Sequence, residues 1–165
     1  ELTKADLEKV RRLKFFRTEI TDTGLKEVAK LENLTALLLN STHITDAGLK
    51  KIAAMKNLTT LDLYCTRITD ASLKEVAKLE KLTYLRLSGS KITDASLKEV
   101  AKLKNLNTLN LQYCKQITDL GLKELAKLTK LKSLYLNFNP DLTKAQIDQL
   151  QKALPNCKIS SNPTK

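Results

Sequence analysis

The amino-acid sequence predicts an α/β solenoid, a right-handed superhelix with about six parallel strands on its concave face and short helices on its convex face. Three observations carry this reading. The tripeptide Ile-Thr-Asp recurs at Ile20, Ile44, Ile68, Ile92 and Ile117, with Leu-Thr-Lys at Leu142 in register, a period of 24 residues that stretches twice to 25. Within each period a helical spacing of apolar residues gives way to a strand spacing. The text between the markers barely changes: ITDASLKEVAKLEKLTYLRLSGSK from Ile68 overlays ITDAGLKKIAAMKNLTTLDLYCTR from Ile44 without a gap.

The chain reads as a single domain over 1–165. VRRLKFFRTEI, from Val10, matches the strand half of the period with Leu13 and Phe15 at core positions. The helix ahead of it, TKADLEKV from Thr3, is shorter than its successors, so 1–19 is expected to be a truncated first repeat. That leaves one strand edge uncovered, where a solenoid ordinarily carries a cap. The expectation is that residues precede Glu1, or that this edge meets another molecule.

Five full repeats fill 20–141. In the repeat that starts at Ile68, Leu73, Val76, Ala77 and Leu79 follow helical spacing, with Thr69 and Asp70 placed to accept backbone N–H bonds at the helix start. Leu82, Leu85 and Leu87 then give LxxLxL, which a strand satisfies with all three side chains directed into the core. Thr66, Ser90 and Cys114 stand where the chain must turn a tight corner. Segment 142–159 is expected to cap the array: Thr143 starts a helix striped by Ile147, Leu150 and Leu154, Pro155 stops it, and Cys157 and Ile159 add a short strand. The tail 160–165 has nothing to bury and is expected to be mobile.

On these residues, LxxLxLxx followed by Asn, Cys or Thr and then x and Ile or Leu, the chain resembles the leucine-rich repeat family over essentially its whole length. LNTLNLQYCKQITDLGLKELAKL, from Leu106 to Leu128, is similar to the cysteine-containing subclass of F-box proteins. The Thr-bearing repeats and the ending ALPNCKISSNPTK look more like bacterial repeats of the planctomycete and verrucomicrobial type. The bacterial likeness is favoured, because only one repeat has Cys at the corner. The resemblance implies an interaction scaffold and names no ligand.

If the first, fourth and sixth strand positions face the core, the second, third, fifth, seventh and eighth lie on or beside the concave surface. Twelve such residues form the candidate partner-binding set: Arg12, Lys14, Phe16, Leu38, Asp62, Tyr64, Tyr84, Arg86, Asn110, Tyr113, Tyr135 and Phe138. Six of the seven aromatic residues fall among them, leaving Phe15 for the core. Aromatic side chains on an exposed sheet either anchor a partner or pack across neighbouring strands, and their absence from the helical halves favours the first. Asp62 and Arg86, on adjacent strands about 5 Å apart, are expected to form an exposed pair of little energetic weight. Arg11, Arg12, Lys14 and Arg17 crowd the first strand, where they either attract an acidic segment or discourage edge pairing.

Other chemistries find little support. The net charge of +11 admits nucleic acid, but the lysines mix with Glu at helical spacing, as a solvated face does. Apolar runs such as Ala36 to Leu39 fall far short of the roughly 20 residues of a membrane span. Cys65, Cys114 and Cys157 lack the paired spacings of zinc sites, and the recurrent aspartates Asp22, Asp46, Asp70, Asp94 and Asp119 read as helix starts that satisfy their own backbone. His43 and Cys65 are one repeat apart without an evident activating group, so no catalytic residue, metal or cofactor is expected. The expected function is a non-catalytic protein-interaction module that binds a peptide or protein on the concave surface. The alternatives are anion or nucleic-acid binding through the basic first strand, and a structural spacer in a longer array.

Overall fold

The structure, a computed structural model, describes residues 3–163. Helices and strands alternate: α1 (Lys4–Lys9), β1 (Arg12–Lys14), α2 (Asp22–Val28), β2 (Ala36–Leu38), α3 (Asp46–Ile52), β3 (Thr60–Asp62), α4 (Asp70–Val76), β4 (Tyr84–Arg86), α5 (Asp94–Val100), β5 (Thr108–Asn110), α6 (Asp119–Leu125), β6 (Ser133–Tyr135), α7 (Lys144–Ala153) and β7 (Lys158–Ser160). All strands are parallel and pair in chain order, making one seven-stranded sheet, so the closing strand brings the number to one more than the expected six.

Register follows the leucines. Leu13, Leu37, Leu61, Leu85, Leu109, Leu134 and Ile159 stand opposite one another in a single column. From Leu37 to Leu134 that column is fully buried, as are Leu25, Leu49, Leu73 and Leu97 of the helices. No repeat can bury its leucines alone, so each closes the core of its neighbour. At the first repeat that closure is incomplete: Val10, Leu13, Phe15 and Ile20 are only partly buried, whereas Leu34, Leu37, Leu39 and Ile44 one repeat on are fully so.

The tight corner after each strand buries a carbonyl, and a short donor side chain satisfies it. Thr42 Oγ1 donates to Leu39 O at 2.8 Å, Thr66 Oγ1 to Leu63 O at 2.8 Å and Ser90 Oγ to Leu87 O at 2.5 Å. Cys114 Sγ donates to Leu87 O at 3.3 Å, and Asn139 Nδ2 reaches both Leu111 O and Leu136 O. This explains why Thr, Ser, Cys and Asn interchange at the corner. Each offers a hydrogen at short reach, and little else fits.

The recurrent aspartates act differently from the expectation. Thr45, Thr69, Thr93 and Thr118 cap their own helices, each side-chain oxygen accepting the N–H two residues on. The aspartates instead clasp the next repeat. Asp22 accepts from the Thr45 N–H and O–H at 2.9 and 2.6 Å, Asp46 from those of Thr69 at 2.8 and 2.6 Å, and Asp94 from those of Thr118 at 2.8 and 2.6 Å. Asp70 accepts from Thr93 likewise and from the Ser96 hydroxyl as well. Two short donors at the head of the neighbouring helix outcompete the carboxylate's own backbone. Close approach is the requirement: at Gly121 a Cβ would overlap the Asp94 carboxylate. Asp119 ends the series, turning to Lys123 at 2.7 Å while Thr143 forms a capping box with Gln146.

The tail is also a correction in part. Ser160 belongs to β7, its carbonyl accepting the Leu136 N–H at 2.7 Å, and Asn162 Oδ1 accepts the Phe138 N–H at 2.5 Å. These two backbone donors just beyond β6 bond Ser160 and Asn162 to the preceding repeat. Residues 164 and 165 lie outside the described residues.

Candidate binding surface

The sheet presents the third and fifth positions of every strand on one face, and the seventh and eighth positions continue it to a rim. Across that face runs a chain of polar contacts. Asn40 Nδ2 donates to Asp62 Oδ2 at 2.6 Å, and the Tyr64 backbone N–H donates to Asp62 Oδ1 at 3.0 Å. Arg86 Nη1 lies 3.7 Å from Asp62 Oδ2, and its guanidinium sits over the Tyr64 ring, 4.2 Å from the centroid. Arg86 Nε reaches Ser88 Oγ at 3.4 Å, Ser88 Oγ donates to Asn110 Oδ1 at 2.5 Å, and Asn110 Nδ2 donates to Gln112 Oε1 at 3.3 Å. Gln112 Nε2 and Ser160 Oγ both donate to Asn137 Oδ1, at 3.2 and 3.0 Å. The chain thus crosses from β2 to β7.

Asp62 is the hub, and it is not the exposed partner that its place on the face suggests. Its relative exposure is 5%, against 28% for the Arg86 side chain. Two hydrogen-bond donors and the neighbouring Arg86 charge hold the carboxylate down, so the pair is a fixed part of the floor rather than a loose surface bridge. Beside it, burial first and the Asp62 carboxylate second push the Tyr84 phenol above its ordinary value, so it remains a hydroxyl donor at neutral pH.

A family model described as a leucine-rich repeat region matches residues 5–160. The chain belongs to the leucine-rich repeat family. No curated protein matches it in sequence. Among solved structures it is similar to two internalins of Listeria monocytogenes. With inlF the TM-score is 0.71 at 22% identity, covering 99% of this chain and 58% of that one. With internalin C2 the TM-score is 0.68 at 28% identity, covering 99% of this chain and 77% of that one. This leucine-rich repeat chain therefore spans little more than half the length of inlF, and family and neighbours alike support a protein-interaction module in general.

The twelve expected surface residues fall into separate groups on this leucine-rich repeat sheet. Asp62, Tyr64, Tyr84 and Arg86 come together at its centre, with Leu38 and Asn110 half-buried on the strands to either side. Arg12 and Lys14 lie exposed on β1, where Phe16 carries the Arg17 guanidinium 5.1 Å from its ring centroid. Tyr135 is exposed on β6. Tyr113 and Phe138 form a distinct pair on the rim, stacked with centroids 4.4 Å apart and planes 9° from parallel.

Position eight of each strand explains the rim. Arg17, Ser41, Cys65, Tyr113 and Phe138 all adopt positive φ between 50° and 65°, and Gly89 has φ 70°. The chain must leave the strand through the left-handed region here, whatever residue is present. The sequence places Asn40, Ser88, Gln112 and Asn137 at the seventh position beside the concave surface, but the candidate set left out these links of the polar chain. The recurrence of short polar residues at position seven was the available signal.

His43 Nδ1 lies 3.6 Å from Glu19 Oε2. All three cysteines are free; burial pushes the Cys114 thiol up to about 11 and raises that of Cys157, while Cys65 is exposed. Among the described residues no three His, Cys, Asp or Glu side chains are grouped to hold a metal, and no helix is long and apolar enough to cross a membrane.

Proposed function

We propose that this chain is a non-catalytic module that binds an acidic peptide or protein segment across its concave face, through the twelve residues grouped above. One observation carries the reading. Apart from Asp62, already buried beside Arg86, every charged side chain on that face and its rim is a cation: Arg12, Lys14, Arg17, Arg86 and Lys158. A partner with carboxylates is steered toward such a face and a basic one is repelled. Tyr84 and Tyr135 supply rigid contact area at the third position of β4 and the fifth of β6. The polar chain beneath holds its own side chains in place, so little rotamer freedom remains to be lost on binding.

The same cations would suit a nucleic acid, but the aromatic rings argue for protein. Tyr64 is already covered by Arg86, and Tyr113 and Phe138 stack on each other, so any ring face left open is single and not one of the row that successive bases need. The experiment is affinity capture from the source organism with identification of the retained proteins. The wild-type chain is compared with the Tyr84→Ala/Tyr135→Ala double variant, alongside oligonucleotide binding at several salt concentrations. Expected is retention of an acidic protein that the double variant loses while its unfolding midpoint stays near wild type. Unchanged retention by the variant would remove the concave site, and steeply salt-dependent oligonucleotide binding would replace protein with nucleic acid.

A further inference from the structure

The rim carries a short column of aromatic rings that stops at Gly89. Phe138 stacks on Tyr113 because neighbouring strands are about 4.8 Å apart, close to the spacing at which rings stack. One strand to the other side of Tyr113 stands Gly89, and beside it Ser88, which is fully buried. A Cβ built on Gly89 would meet only Cys65 within 4 Å, its Sγ at 3.1 Å, and no atom of Tyr113. The Tyr113 ring stacks on Phe138, and among the described residues no second ring or guanidinium is in stacking contact with it. Cys65 forms the far wall.

Bulky residues at positive φ are costly, about 1 to 3 kcal/mol each. Tyr113 and Phe138 both occupy such positions, at φ 58° and 65°, where Ser41 shows that a small residue suffices for the fold. The rim also has its own charge. Arg67, Lys91 and Lys115, at the corners of three successive repeats, are exposed and have no carboxylate within ion-pair distance among the described residues.

We infer that the notch over Gly89, between Cys65 and Tyr113, takes a planar aromatic side chain of an acidic protein segment, which continues the Tyr113–Phe138 stack while its carboxylates meet Arg67, Lys91 and Lys115. The inference rests on the protein-binding reading and names the feature of the partner that this part of the surface selects. A ring seated one strand from Tyr113 finds the separation that Phe138 already occupies on the opposite face. The contact is deep enough to shield Cys65, the one exposed thiol.

The test uses a short synthetic acidic peptide with one central tryptophan, a central-alanine counterpart, and a counterpart with lysines in place of the acids. Binding is read by tryptophan fluorescence and calorimetry, and the rate of Cys65 alkylation is followed in parallel. Two variants probe the notch. Gly89→Asn fills it with a residue that tolerates positive φ, and Tyr113→Asn removes the ring under the same backbone constraint. Circular dichroism and urea midpoints verify that both fold.

Expected is binding of the acidic tryptophan peptide with at least about ten-fold loss in either variant, a similar loss for the alanine and lysine peptides, and slowed alkylation of Cys65 in the complex. Wild-type affinity in Gly89→Asn, equal binding of the alanine peptide, or no binding of the tryptophan peptide at all would overturn the inference. Loss in Tyr84→Ala/Tyr135→Ala with none in the notch variants would leave the concave reading standing and sink this one alone.

Discussion

Replacing Asp94 with Ala separates two roles for the recurrent aspartate. As a helix start it would supply only its interaction with the helix dipole, about 0.3 to 1 kcal/mol. As a clasp it also accepts two charge-assisted bonds from the next repeat, at 2.8 and 2.6 Å from the Thr118 N–H and O–H. Bonds to a charged group contribute about 1.5 to 3 kcal/mol, and deletion strands partly buried donors. Asp94→Ala should therefore cost about 2 to 4 kcal/mol in all. Asp119 is the internal control, because it occupies the same place on α6 but pairs with Lys123, while the N–H of Thr143 in the following repeat donates to Gln146 instead. Asp119→Ala should cost about 1 kcal/mol. Urea unfolding followed by circular dichroism reads both: with a slope of about 2 kcal/mol/M, Asp94→Ala lowers the midpoint by about 1 to 2 M and Asp119→Ala by about 0.5 M. Equal shifts would refute the clasp and return both residues to simple helix starts.

Two further expectations follow from the same geometry. Burial would raise the Asp70 carboxyl, but bonds from Ser96 and Thr93 outweigh it and hold it below its ordinary value, so the unfolded chain takes up the proton first. That stabilisation is complete above the unfolded value of about 3.9 and is lost as pH falls toward the lower folded one. Ser96→Ala should thus be less stable than wild type at pH 7, with the gap narrowing at acid pH; a gap independent of pH in urea titrations would contradict the assignment. For the thiols, native alkylation near neutral pH followed by mass spectrometry should modify Cys65 alone, because Cys114 and Cys157 are buried and their thiols raised. Modification of Cys114 without denaturant would show that the corner opens.

Much of this molecule was legible as text because a solenoid makes its long-range contacts at a fixed sequence interval. The 24-residue marker, the LxxLxL column and the Thr143 cap each translate directly into an element, since every repeat meets only its neighbours and the period states which residues those are. The sequence by itself also determined which face each strand residue occupies, and so put Asp62 beside Arg86 on adjacent strands. Tertiary structure alone decided how those side chains are used. Asp62 sits at the same strand position as Arg86, yet is buried because Asn40 and the Tyr64 N–H approach it from two sides. Asp94 and Asp119 share the Ile-Thr-Asp marker, yet only Asp94 accepts hydrogen bonds from the threonine of the following repeat. Alternation along a strand states direction, whereas burial and bonding depend on the particular side chains one and two strands away, which no single repeat contains.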